Sequence, residues 1–381
     1  MRNFSIAIIH LEAIHQVYHF VTIALALSKN HEVSILTYPG KHTLLRSLLN
    51  SLDGGNVNII ERPTMLFRAI TDSLKGREKP RRGFWIKKNQ NYILSNFDAV
   101  IFTDYYHHYL LKARGSLKRP KFIKLPHGLP GRSYSYREDQ KDFDFQLIYG
   151  SFHERKLAEK NLLADHYAIM GLPKLDAIPS DKPNTPFKDK KPIVLYTPHF
   201  AYPLSSWHDH GVKILEYFSS QDTYNLLFAP HINLFKKIKK SAEASEIPKD
   251  FFNTPNIHID LGSQKSVDMS YLRLADIYLG DISSQVYEFI TSPRPCVFVN
   301  AKNVDYSEDL HFRFWQCGPV IQSVTELPNA LKKSVSEFDQ YKKIQKKLNA
   351  VNYYTEKGTT PSKRAADAIT SYLKNCFSSE S

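Results

Sequence analysis

Cysteine is scarce in this chain: three among 381 residues, Cys296, Cys317 and Cys376. The number is odd, the positions are scattered and no metal-ligand spacing links them. This excludes a disulfide framework and fits a reducing compartment. Long apolar runs are also missing, and nothing approaches the roughly 18 uninterrupted apolar residues of a membrane span. The opening MRNFSIAIIHLEAIH holds one basic residue and a short apolar run without a small-residue cleavage site. It is expected to be a first strand rather than a signal peptide. No GxGxxG separates the first strand from the first helix, which argues against a dinucleotide fingerprint. Zinc-finger spacing, an RNP-like motif and a helix-turn-helix are all lacking, so no nucleic-acid partner is expected. No carboxylate cluster suggests catalytic Mg²⁺, so neither metal nor cofactor is expected. Internal repeats and low-complexity tracts are absent as well.

What is present is length for two α/β domains, each with its own core, and a formal net charge of +13. That charge suits an anionic partner. Part of it is local: Arg68, Lys75, Arg77, Lys79, Arg81, Arg82, Lys87 and Lys88 face only Asp72 and Glu78, and Phe84 and Trp85 interrupt the run. Basic residues interleaved with aromatics suit an anionic membrane surface, each cation contributing up to about 1 kcal/mol there.

Apolar runs at Phe4–His10, Glu32–Tyr38, Val57–Ile60, Phe97–Thr103, Phe122–Leu125, Phe145–Tyr149 and His166–Met170 read as buried parallel strands. Val17–Leu27 has helical spacing between the first two, which makes the opening βαβ and Rossmann-like. The loop before that helix offers His10, Glu12 and His15, with His19 one turn beyond; without a nearby third ligand, helix surface or cleft lining is expected rather than metal binding. Asp181–Lys191 (DKPNTPFKDKK) is the best linker. Beyond it, strands are expected at Ile193–Tyr196, Tyr224–Ala229 and Ile257–Asp260. Helices are expected at Asp209–Phe218, Phe235–Ala244, Val267–Leu274, Leu331–Leu348 and Lys363–Leu373. The domains are accordingly placed at 1–180 and 192–360, with 361–381 a final helix that could cross back to the first.

Three strands run straight into a Pro-His pair, giving His127, His199 and His231. Strand ends are where open α/β sheets hold ligands, and three such histidines in two βα halves point to a shared cleft. Gly128 after His127 permits close backbone approach or a positive φ. The stretch LGDISSQVYEFITSPRPCVFV, from Leu279 to Val299, reads strand, polar turn, short helix, strand. Asp281, Ser283 and Ser284 stand where that helix begins, a place suited to phosphate oxygens, though Asp and Ser are also ordinary caps. Arg294 follows the helix and could add a positive charge.

These motifs, in this order, resemble the CDP-glycerol glycerophosphotransferase family, of the type that makes teichoic-acid and capsule polymers. They are PHG at Pro126–Gly128, GLPKLD at Gly171–Asp176, LYTPHF at Leu195–Phe200, PH at Pro230–His231, ADIYLGDISSQVYEFI from Ala275 with RPCVFV to Val299, and EKGTTPSKRAADAI at Glu356–Ile369. The resemblance implies the GT-B architecture, an α/β fold of two Rossmann-like domains with an interdomain active-site cleft: an N-terminal acceptor-side domain and a C-terminal nucleotide-donor domain. It implies His127 as general base and His231 as a second catalytic histidine near the donor phosphates. Asp281, Ser283 and Ser284 match the donor-binding DxSS segment, Glu288 falls where an acid holds ribose hydroxyls, and His199, Gly128 and Arg294 join the donor side. The chain departs from the family at His199-Phe200-Ala201, at Ile232-Asn233-Leu234 and through YPLSSWHDH at Tyr202–His210. The expected reaction moves a polyol phosphate from a CDP-linked donor to a hydroxyl of a polymer or lipid-linked acceptor, releasing CMP, in the cytoplasm at the inner face of the membrane. The alternatives are a GT-B glycosyltransferase or UDP-N-acetylglucosamine epimerase using a sugar nucleotide, and a non-catalytic membrane-bound scaffold.

Overall fold

The computed structural model describes residues 3–11, 16–77, 79–128, 136–179, 181, 183–235, 247–283 and 285–378. The chain divides into two compact units, Met1–Ile178 with Ala350–Ser381, and Pro179–Asn349.

The first unit opens β1 (Ser5–Ile9), α1 (Val17–Ser28), β2 (Glu32–Thr37), α2 (Thr43–Ser51), β3 (Val57–Glu61). Two helices, α3 (Leu66–Leu74) and α4 (Arg82–Asn96), come next, then β4 (Ala99–Phe102), α5 (His108–Arg114), β5 (Lys121–Lys124), β6 (Phe145–Ile148), α6 (Ser151–Glu159) and β7 (Tyr167–Ile169). The sheet is parallel throughout, in the order β3-β2-β1-β4-β5-β6-β7. Its strands are apolar on both faces because helices cover both; Ile6, Ala7, Ile8 and Ile9 are all fully buried. The order reverses between β1 and β4, and such a switch point opens a crevice outside the strand ends.

The second unit holds β8 (Ile193–Thr197), α7 (Val212–Ser219), β9 (Asn225–Phe228), β10 (Ile257–Ile259), α8 (Ser270–Leu274), β11 (Ile277–Gly280), α9 (Gln285–Phe289), β12 (Cys296–Val299), β13 (Val320–Ile321) and α10 (Leu327–Ser336). Its parallel sheet runs β10-β9-β8-β11-β12-β13 and reverses between β8 and β11. A helix, α11 (Phe338–Asn352), bridges the unit boundary, and α12 (Pro361–Phe377) belongs to the first unit. There the Ser362 hydroxyl donates to Thr22 Oγ1 of α1 at 2.7 Å. The second unit stops at Asn349, short of the expected 360, since Tyr354 N already donates to Tyr149 O at 2.9 Å in the first.

Several expected elements differ. The basic run around residues 68–88 lies on two helices, α3 and α4, and the segment between them. The expected Leu331–Leu348 helix is two, broken at Glu337, whose backbone (φ −101°, ψ 15°) leaves the helical region. The Asp209–Phe218 helix begins as one wide turn, Trp207–Gly211, in which a Cβ on Gly211 would meet the Trp207 ring at 2.2 Å. The Val267–Leu274 helix shrinks to α8 because Met269 takes a left-handed φ of 66°. Of the Phe235–Ala244 helix, residues 236–244 lie outside the described residues, as do Glu12 and His15. His10 and His19 go into packing: the His10 ring lies 5.3 Å from Phe20, and His19 Nδ1 is 3.4 Å from the Tyr149 hydroxyl.

Candidate active site

In the first unit, β5 ends at Lys124 and the chain turns through Pro126, His127 and Gly128. Gly128 takes a φ of +76° with open space where a Cβ would stand, so the turn itself requires glycine. The Tyr149 hydroxyl donates to Pro126 O at 2.7 Å and holds the loop. His127 Nδ1 bonds the carbonyl of Thr103, just past β4. A carbonyl only accepts, so Nδ1 carries the hydrogen and the lone pair of the neutral ring sits on Nε2. Burial holds the His127 pKa below the usual histidine value; Lys124 and Arg82 push it the same way, while Asp104 and the Thr103 bond oppose. The ring is therefore neutral at physiological pH.

The same Thr103 carbonyl accepts from Lys124 Nζ at 2.9 Å, and that ammonium lies 4.3 Å over the Tyr105 ring. Burial lowers the Lys124 pKa to about 7. His153, from α6, lines the small cavity beside His127; it is buried, both ring nitrogens lack hydrogen-bond partners among the described residues, and its pKa falls to about 3 through desolvation. Sequence reasoning missed both. Lys124 did leave a signal, a charge inside the apolar run FIKL; His153 left none.

In the second unit, β9, β8 and β11 are neighbours and parallel, so their carboxyl ends share one edge. His231, His199 and Asp281 follow these three ends. The two imidazoles lie 5.9 Å apart, centroid to centroid, and the Phe200 ring is 4.4 Å from each. His199 Nδ1 accepts from Ala201 N at 3.0 Å, and His231 Nδ1 accepts from Asn233 N at 3.1 Å. Both rings are thus pinned by a backbone N–H two residues on, which leaves the hydrogen on Nε2. His127 is poised to take a proton at Nε2, whereas His199 and His231 are poised to donate from theirs. Both donors are backbone groups, so any residue other than proline at 201 or 233 would set the same state.

The Asp281 carboxylate is held by its own chain. It accepts from His199 N (2.9 Å), Ser206 N (2.6 Å) and Ser206 Oγ (2.9 Å). Burial raises its pKa to about 7 while the Ser206 and His199 bonds pull the other way. The unassigned YPLSSWHDH segment supplies Ser206 and so acts as its clamp. Asp281 is therefore a positioning residue. Ser283 is buried, and its Oγ accepts from Gln285 N at 3.3 Å; Ser284 lies outside the described residues. The following helix, α9, spans only five residues, so its dipole is that of little more than one turn. Glu288 is a buried carboxylate on it.

Arg294 corrects the expectation of a donor-binding cation. Its guanidinium donates to Leu272 O and Ala275 O at 2.7 Å, Phe289 O at 2.9 Å and Ser292 O at 3.1 Å, and lies 3.9 Å over the Phe289 ring. It ties the ends of α8 and α9 together. Two family motifs prove structural as well. Asp176 of GLPKLD accepts from Ser362 N at 2.7 Å, Arg364 donates to Met170 O at 2.7 Å, and a Cβ on Gly171 (φ +88°) would meet Tyr354 O at 2.4 Å. Both segments dock α12 onto the first unit. Among the described residues, no group of three or more His, Cys, Asp or Glu could hold a metal ion.

A family model described as CDP-glycerol:poly(glycerophosphate) glycerophosphotransferase matches residues 84–371. No curated protein matches the sequence. Among solved structures, the wall teichoic acid polymerase TagF is similar at a TM-score of 0.62 and 12% identity, over 98% of this chain and 90% of that one. S. aureus MnaA with UDP is similar at 0.63 and 12%, over 98% and 97%. The UDP-GlcNAc 2-epimerase of Neisseria meningitidis is similar at 0.55 and 13%, over 98% and 100%. The fold is of the GT-B type, with two Rossmann-like units.

Proposed function

Because this chain belongs to the CDP-glycerol:poly(glycerophosphate) glycerophosphotransferase family, we propose that His127 is the general base of its glycerophosphate transfer and that His199 and His231 hold the donor's phosphates. The protein is a transferase of that type, moving glycerol phosphate from CDP-glycerol onto a polymer. Teichoic-acid synthesis is the setting that fits. In the transfer, an acceptor oxygen attacks the β-phosphorus, the bond to the CMP oxygen breaks, and the acceptor's proton must leave. The opposite tautomers of the histidines carry the reading. Nε2 of His127 takes the proton, and the Nε2–H groups of His199 and His231 face the charge that grows on phosphate oxygens and on departing CMP. Asp281 and Ser206 hold the His199 loop in place. Gly128, Ser283 and Glu288 line the expected subsites, with Glu288 suited to ribose hydroxyls. The sugar-nucleotide alternative has no observation in its favour beyond the shared fold.

The test is a donor screen with mass analysis of the product. CMP release is expected with CDP-glycerol, or with CDP-ribitol if the polyol differs, and none with UDP-sugars. Turnover of a UDP-sugar alone would overturn the reading.

Membrane attachment is part of the same proposal, with a different apolar element from the one expected. Trp85 is fully buried and its Nε1 donates to Arg62 O at 2.7 Å, so it offers no surface aromatic. The apolar face lies instead on α3, where Leu66, Phe67, Ile70 and Leu74 are 80%, 65%, 55% and 82% exposed. Their spacing places them on one side of the helix. An exposed apolar stripe within a strongly basic segment suits an anionic bilayer surface and an acceptor anchored in it. No helix among the described residues is long and apolar enough to cross a membrane. The F67S/I70S/L74S variant is expected to lose sedimentation with phosphatidylglycerol-containing vesicles. Unchanged sedimentation would remove the proposal.

A further inference from the structure

In the first unit β5 and β6 are parallel neighbours, with Lys124 opposite Gln146. Their carboxyl ends share one edge of the sheet. Pro126 and His127 leave β5 there, and Tyr149 and Gly150 leave β6. Tyr149 is fully buried at this edge.

Its hydroxyl donates to Pro126 O at 2.7 Å, a direction fixed by the carbonyl, which only accepts. That carbonyl belongs to the peptide that leads into His127. The bond therefore sets the peptide plane from which the His127 side chain springs, while the Thr103 carbonyl holds the ring at Nδ1. A ring held at Nδ1 alone can pivot about that one bond. Two anchors, one on the backbone and one on the ring, give Nε2 a single direction. His19 Nδ1 lies 3.4 Å from the same hydroxyl and brings α1 into the arrangement.

Tyr149 is seated in turn by a segment two hundred positions on in the chain. Tyr354 N donates to Tyr149 O at 2.9 Å, and the Tyr353 ring meets the Tyr149 ring edge-on with centroids 6.1 Å apart. A Cβ on Gly150 would stand 2.7 Å from Asn352 O and 2.8 Å from Val351 O, so backbone passes directly against backbone and only glycine fits. Asn352–Tyr354 follow closely on Asn349, the last residue of the second unit. The backbone anchor of the base thus rests on the chain where it re-enters the first unit.

We propose that Tyr149 is a positioning residue for the general base: seated by Asn352–Tyr354, its hydroxyl fixes the Pro126–His127 peptide and so aims Nε2 at the acceptor hydroxyl. The proposal rests on the reading of His127 given above. It places the effect of Tyr149 on kcat and not on the affinity for either substrate.

The test is made on the full chain with Y149F, which keeps the buried ring and removes only the hydroxyl. Its kcat is expected to fall at least about fivefold, the loss of part of the advantage of orientation, with KM for CDP-glycerol and for the acceptor unchanged. In an H127N background the same substitution should have no further effect, because groups that act as a unit are not additive; a purely structural role would lower the residual rate by the same factor. G150A, which pushes Asn352 off its seat, is expected to show the same pattern. An activity-free reading comes from NMR of protein carrying isotopically labelled histidine, with the His127 ring signal assigned by its absence in H127N: Y149F should shift or broaden that signal. A smaller loss of kcat in Y149F, an equal loss in the H127N background, or an unmoved His127 signal would each overturn the proposal, and wild-type kcat in G150A would overturn the seating role of Asn352–Tyr354. If wild type releases no CMP from CDP-glycerol, the proposed activity has failed, and the NMR signal still decides whether Tyr149 holds the ring.

Discussion

His127→Asn is expected to lower kcat for glycerophosphate transfer by about 10²–10⁴-fold, the usual contribution of a positioned general base, with little change in the affinity for CDP-glycerol. The substitution separates the two jobs of the ring. An Asn amide stands close to the position of Nδ1 and can still donate to the Thr103 carbonyl, so the loop keeps its anchor. What it lacks is Nε2 and the lone pair there. Alanine would remove both and confound the result with loop disorder. The pH profile adds an independent reading. Burial, reinforced by Lys124 and Arg82, places the His127 pKa below the usual histidine value of 6.5, against opposition from Asp104 and Thr103. Protonation of the base abolishes activity, so the midpoint of the acidic limb should lie below pH 6.5. Lys124→Met removes a neighbouring cation, so the limb should move to higher pH. An H127N protein with more than a tenth of wild-type kcat, or a limb unmoved by K124M, would reject this assignment.

The two Rossmann-like halves were legible because buried parallel strands leave continuous apolar runs, and because each carries its loop signal at the carboxyl end. The Pro-His pairs were legible for the same reason: β5, β8 and β9 stop where an apolar run meets proline. The roles of Asp281 and Arg294 were not. A carboxylate at a strand end and an arginine past a helix look alike whether they face a ligand or the backbone. Only the carbonyls of Leu272, Ala275, Phe289 and Ser292 show where Arg294 points. The tautomers were hidden too, since they depend on Ala201 N, Asn233 N and the Thr103 carbonyl, backbone groups that carry no side-chain signature. Trp85 misled because a basic run reads as surface, although its ring is on the inner side of α4; the exposed stripe of α3 was there as spacing, hidden within the same run.

Asp281→Asn is expected to destabilise the second unit by about 1–3 kcal/mol, the cost of a buried backbone donor left without an oxygen to accept it, and to raise KM for CDP-glycerol. The carboxylate takes two backbone N–H groups and a hydroxyl, from His199 and Ser206. An amide of the same shape has one oxygen for them. Whichever way it is turned, its NH₂ group confronts an N–H of either His199 or Ser206, and that strand-end loop loses its tie. His199 then no longer holds its Nε2–H in a fixed direction, which is why donor affinity falls along with stability. The pH dependence has a definite sign. The folded pKa of Asp281, about 7, lies above the ordinary aspartate value of 3.8 because burial disfavours the anion. Its contribution to stability is therefore fully present below about pH 4 and is lost as pH rises through 7. Asparagine does not titrate, so the gap between wild type and D281N should narrow from pH 5 to pH 8. Trp315, whose indole N–H donates to the Asp281 carbonyl at 3.4 Å, and Trp207, next to Ser206, report the loop by fluorescence during denaturant titration. A gap that widens with pH would mean that the clamp works through the ionised form, with hydrogen bonding rather than burial setting the Asp281 pKa.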